Sequence, residues 1–141
     1  MLVWIDRILL VALVMVVAVL VFTSWPAAMD EQTLDGQALL AHMMASGVLV
    51  MGLPVFALFF LRYLPAKRTT SWLQILGYLA TVAAGLVAIA TVFLCMLPVP
   101  STHQMHSLMS IHGWAGFMMI PAIVVLLIGT RATRSASHPH S

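Results

Sequence analysis

At 141 residues, 62% of them hydrophobic and only 7% charged, the chain has room for one small domain and too few polar residues to cover a water-soluble one. Its mean hydropathy of +1.08 is a membrane composition, and a small, localised net charge of +2 argues against nucleic acid as a partner. The single cysteine, Cys95, excludes a disulfide framework, a Cys-x-x-Cys-His attachment for c-type haem and an iron–sulfur ligand set; it reads as a small apolar packing residue.

Charge gaps and prolines divide the chain into four predicted spans. The first covers about Val3–Trp25 and is closed by Pro26. A basic start, an apolar run and Ala27-Ala28 imitate a secretion signal, but the uncharged stretch Ile8–Met29 is 22 residues, longer than a signal core, so it is expected to stay as an anchor. The second covers about Leu34–Leu61, with Thr33 or Asp30 as its N-cap. The third covers about Ser71–Leu97, stopped by Pro98 and Pro100. The fourth covers about Thr102–Thr130, and Ser101 followed three residues later by Gln104 has the spacing of a capping box. Each span is long enough for a hydrocarbon core of about 30 Å. The expected fold is therefore all-α, a four-helix transmembrane bundle over residues 1–130 with a cytoplasmic tail over 131–141.

Arg7, then Arg62, Lys67 and Arg68, then Arg131 and Arg134 fall on one side of this arrangement, and Asp30, Glu31 and Asp35 on the other. The positive-inside rule then puts both termini in the cytoplasm and the chain in the cytoplasmic (inner) membrane. Trp25, Trp72 and Tyr63 lie near span ends, where amphipathic aromatics favour the interface. The polar segment Ala132–Ser141 has no periodicity and is expected to be loosely ordered, with His138 and His140 solvated.

In the third span Gly77, Ala80, Thr81, Ala84, Gly85 and Ala88 share a broad small-residue face. Such a face lets helices approach closely in lipid, or leaves room for a flat macrocycle. Pro54 and Pro121 lie deep in the second and fourth spans. These two spans also share a pattern: His42 has Ser46 at i+4, then Gly47, Gly52 and Pro54, and His106 has Ser110 at i+4, then Gly113, Gly116 and Pro121. The likeness suggests a duplication or a shared constraint.

Between Arg68 and Arg131 the chain runs 62 residues without an acidic or basic residue, yet retains His103, His106 and His112. Ionisable residues kept in a membrane are functional-site candidates, and His42 is a fourth. The second and fourth spans run in the same direction, so their residues can be matched by depth. Counting from the cytoplasmic end pairs His42 with His112; counting from the outer end pairs it with His106. His106 and His112 point about 120° apart on a helix, so one macrocycle would use only one of them. Two imidazoles on parallel helices suit the opposite faces of haem iron, and helix bundles build cofactor sites from inward side chains.

On His42 in Ala41-His42-Met43-Met44-Ala45-Ser46-Gly47 and on Ile111-His112-Gly113-Trp114-Ala115-Gly116, the chain resembles the four-helix membrane cytochrome b superfamily. These are the haem b subunits of respiratory oxidoreductases, and the resemblance covers residues 3–130. It implies haem b with His42 and His112 as axial iron ligands, His106 being the alternative to His112. It also implies electron relay within a redox complex, with other subunits and with quinone or a cytochrome as partners. Members that bind two haems need four such histidines, and the first and third spans offer none, which points to a single haem or to one shared with another subunit.

Two other readings stand beside it. His103, Met105, His106 and Met109 form a soft cluster that suits copper(I), in a chain with eleven methionines. Alternatively the histidines only bridge helices in a structural or assembly subunit. Asp6, Asp30, Glu31 and Asp35 lie at span ends or in a loop, so acid–base catalysis by the chain itself is not expected.

Overall fold

The computed structural model describes residues 2–30, 36–61 and 71–136. It is all-α, with four helices: α1 (Leu2–Asp30), α2 (Gly36–Leu61), α3 (Trp72–Met96) and α4 (Thr102–Ala136). All four are long and apolar enough to cross a membrane, over Trp4–Pro26, Gly36–Leu61, Trp72–Met96 and Thr102–Ala132. Large apolar side chains stand exposed on every helix, including Phe22, Met51, Trp72 and Trp114. Water would penalise that surface, whereas lipid covers it and demands only that backbone groups bond within the helices.

The span boundaries differ from expectation in two places. Pro26 does not close the first helix, which continues through it to Asp30. A proline removes one backbone donor, whereas ending a helix uncovers four carbonyls, so in an apolar segment continuation is the cheaper outcome. Asp30 consequently ends α1 rather than capping α2, and Thr33 lies outside the described residues. At the other end, α4 runs past Thr130 to Ala136. Arg131, Ala132 and Arg134 are good helix formers. Residues 137–141 of the expected loose tail lie outside the described residues. Pro54 and Pro121 sit inside α2 and α4, as the sequence predicts.

The start of α4 carries the expected capping box. The Ser101 N–H donates to Gln104 Oε1 at 2.8 Å, and the Gln104 N–H donates to Ser101 Oγ at 3.4 Å. Ser101→Ala is expected to cost about 1 kcal/mol, read as faster amide exchange confined to the first turn of α4.

The chain divides into two compact units, Met1–Phe59 and Phe60–Ser141. In the second unit α3 and α4 form an antiparallel hairpin. The α3 face turned inward is Gln74, Gly77, Tyr78, Thr81, Gly85, Ala88 and Thr91, which includes four of the six small residues read from the sequence. The packing use of that face is visible at Gly77. A Cβ there would collide with the backbone N and Cα of Leu126, and a Cβ on Gly129 of α4 would collide with the backbone of Gln74. Two glycines, one per helix, therefore set the closest approach in this hairpin. Thr81, fully buried, returns its hydroxyl proton to the Gly77 carbonyl at 2.7 Å. Among the described residues no buried side-chain nitrogen or oxygen lacks a hydrogen-bond partner.

Candidate functional site

His112 lies in the first half of α4, half-buried, opposite the end of α3. Its Nδ1 is 3.0 Å from the Ala88 carbonyl oxygen and 3.3 Å from Thr91 Oγ1. A carbonyl only accepts, so Nδ1 must carry the proton and donate it. The neutral ring then has its lone pair on Nε2, the form in which histidine binds a metal with its other nitrogen held by a backbone carbonyl. The small side chain of Ala88 lets the ring reach a main-chain carbonyl, and Thr91 bonds back to the Val87 and Ala88 carbonyls, both at 2.9 Å.

His42 lies in the second turn of α2 and is also half-buried. Its Nδ1 is 3.0 Å from Thr23 Oγ1 and 3.2 Å from Ser24 Oγ, both on α1. Thr23 in turn bonds back to the Val19 carbonyl at 2.8 Å and the Leu20 carbonyl at 3.0 Å. His42 on α2 and His112 on α4 are thus each met at Nδ1 by a threonine near the end of the preceding helix.

His106 is placed differently. It is exposed, and its backbone carbonyl accepts from the Ser110 hydroxyl at 3.2 Å. His103, Met105 and Met109 are exposed beside it on the first turns of α4. His138 and His140 lie outside the described residues. Of the two candidates for the second ligand, His112 alone has a ring nitrogen fixed by the helix packed against it.

The α4 backbone next to His112 is open. A Cβ on Gly113 or Gly116 would meet no atom within 4 Å among the described residues, in contrast to Gly77 and Gly129. The glycines that close the hairpin and those flanking His112 are therefore different residues. Among the described residues no three of His, Cys, Asp and Glu converge on one point, so a metal centre built from three such ligands is not formed. A porphyrin supplies four donors to iron itself and requires only axial ligands from the protein.

Sequence reading did not find Thr23, Ser24 or Thr91. A signal was present: each threonine precedes its histidine by a similar interval, 19 and 21 residues. A hydroxyl on an apolar helix is nevertheless commonly satisfied by its own i−4 carbonyl, so the residues did not stand out.

No protein-family model, no curated protein and no solved structure matches the chain. Functional argument therefore starts from these residues.

Proposed function

We propose that the chain is a membrane haem b subunit that relays electrons within a redox complex, with His42 and His112 as axial ligands and quinone or a cytochrome as redox partner. The observation that carries this reading is the pair of gripped imidazoles, above all His112, whose Nδ1 proton is committed to the Ala88 carbonyl. Open space beside Gly113 and Gly116 is consistent with the approach of a macrocycle. When bound, haem supplies a one-electron iron couple. The protein's own residues would supply an imidazole from α2 and one from α4 in helices rich in apolar side chains.

The test is a reduced-minus-oxidised spectrum of the chain purified from its membrane. A sharp low-spin haem b signal at about one haem per chain is expected. A chain that inserts, is monodisperse and carries no haem would overturn the reading.

Orientation belongs to the same proposal: both termini in the cytoplasm of a cell with an inner membrane, as the loop charges require. In a Cys95→Ala background, a cysteine at position 31 should react with an impermeant thiol reagent applied to intact cells. One at position 67 should react only after the cells are opened. Labelling of position 67 from outside refutes the orientation.

A further inference from the structure

The proposed function leaves one group of metal-ligating side chains unused, at the start of α4. Residues 101–107 there are all exposed, His106 among them. Met105 is 37% and Met109 66% exposed, so neither thioether fills a gap in a core, the ordinary task of methionine. Helical spacing makes Met105, His106 and Met109 one group. Met109 lies four residues after Met105 and three after His106, and side chains at those separations are surface neighbours, with Cβ atoms about 5–6 Å apart. Long side chains on a helix lean back over the preceding turn, which directs the Met109 thioether toward positions 105 and 106. Met109 therefore bridges two residues that, being adjacent, do not face each other. His103 neighbours His106 but lies six residues from Met109, outside this triangle.

The donor set selects the metal. Residues 69–130 contain no acidic or basic side chain, so no carboxylate neighbours this group in the chain to offset the charge of a divalent ion. Among the described residues no three of His, Cys, Asp and Glu converge, so the closed four-donor shell of a structural zinc site is not formed. Copper(I) asks for less: it carries a single charge, accepts two or three donors, and prefers thioether sulfur and imidazole nitrogen. We infer that Met105, His106 and Met109 bind one copper(I) ion through two thioether sulfurs and an imidazole nitrogen. The Ser110 hydroxyl, one turn beyond His106, donates to the His106 backbone carbonyl at 3.2 Å and so is turned toward the helix rather than the ring. The site is separate from His112, which lies six residues further on, about 9 Å along the axis and about 120° around it. It does not rest on the haem reading, and it gives the exposed histidine a task of its own.

The full-length chain in detergent, kept free of oxygen, is titrated against the coloured copper(I) complex of bicinchoninate. It should withdraw a single equivalent of copper(I). Met105→Leu and Met109→Leu keep side-chain volume at exposed positions and so should leave the fold intact, as circular dichroism would show. Each of them, and His106→Ala, should weaken copper(I) binding by about tenfold or more, a loss of about 1.4 kcal/mol or more. His103→Ala, Cys95→Ala and the His138→Ala, His140→Ala double variant remove the other copper-binding groups of this part of the chain and its tail, and should leave the affinity unchanged. X-ray absorption at the copper edge should show sulfur and nitrogen neighbours, the sulfur signal disappearing in the Met105→Leu, Met109→Leu double variant. No uptake by the unmodified chain, uptake that survives the double methionine variant, or loss of binding in the cysteine or tail variants overturns the inference. A chain that binds copper(I) as described but carries no haem would sink the proposed function alone; one that carries haem and takes no copper(I) would sink this inference alone.

Discussion

Haem should be lost from His112→Ala and retained, still low-spin, by His106→Ala. Both variants are expected to insert, since neither change adds charge to a span. His112 is half-buried, its Nδ1 is 3.0 Å from the Ala88 carbonyl, and open space flanks Gly113 and Gly116. On the proposed function, removing its ring takes away one of the two imidazoles that would hold the haem. His106 is exposed six residues earlier, about 9 Å along the helix axis, and its loss should shift the potential at most. His42→Ala should behave like His112→Ala, since the proposed function makes it the other ligand. Absorption spectra of the purified variants, with haem measured per chain, check all three. Retention of an unchanged low-spin spectrum by His112→Ala, with loss in His106→Ala, would move the site outward and defeat the assignment.

The second large effect concerns the hairpin rather than the cofactor. Gly77→Ala and Gly129→Ala should each destabilise the α3–α4 pair by about 1–3 kcal/mol, the usual range for overpacking. Here the added methyl meets backbone atoms of the opposite helix, which no rotamer change can clear. Gly113→Ala and Gly116→Ala place the same methyl where no described atom lies within 4 Å, and Ala is the better helix former. They should leave the stability of the haem-free chain unchanged within about 0.5 kcal/mol, the usual range for changes away from packed features. Denaturation of haem-free protein in mixed micelles, followed by circular dichroism, separates the two pairs. Gly116→Leu extends the contrast: the haem-free chain should keep its stability while haem occupancy falls. Equal losses of stability at all four glycines would remove the distinction between packing glycines and those beside the site.

The sequence by itself determined the class of this protein, because a bilayer demands so much of a chain. Four apolar runs separated by charges and prolines leave only helices as the way to satisfy backbone groups in lipid. The capping box at Ser101 and Gln104 was equally legible, since it depends on residues three apart. Helix ends were less so: Pro26 and Arg131 read as stops, yet the helices continue past both. Their choice depends on what the freed backbone groups would otherwise meet. The histidines could be found as anomalies, and depth, the neighbouring Gly113 and Gly116 and the count from the cytoplasmic end already favoured His112 over His106. Tertiary structure added what surrounds one of these rings: Ala88 and Thr91 of α3 lie against the His112 imidazole. It also divided the glycines, whose letters are identical, into those pressed on a neighbouring backbone and those beside open space. A hydrogen bond between helices depends on rotation, tilt and the size of a facing residue, and none of these is written in the spacing of either helix alone.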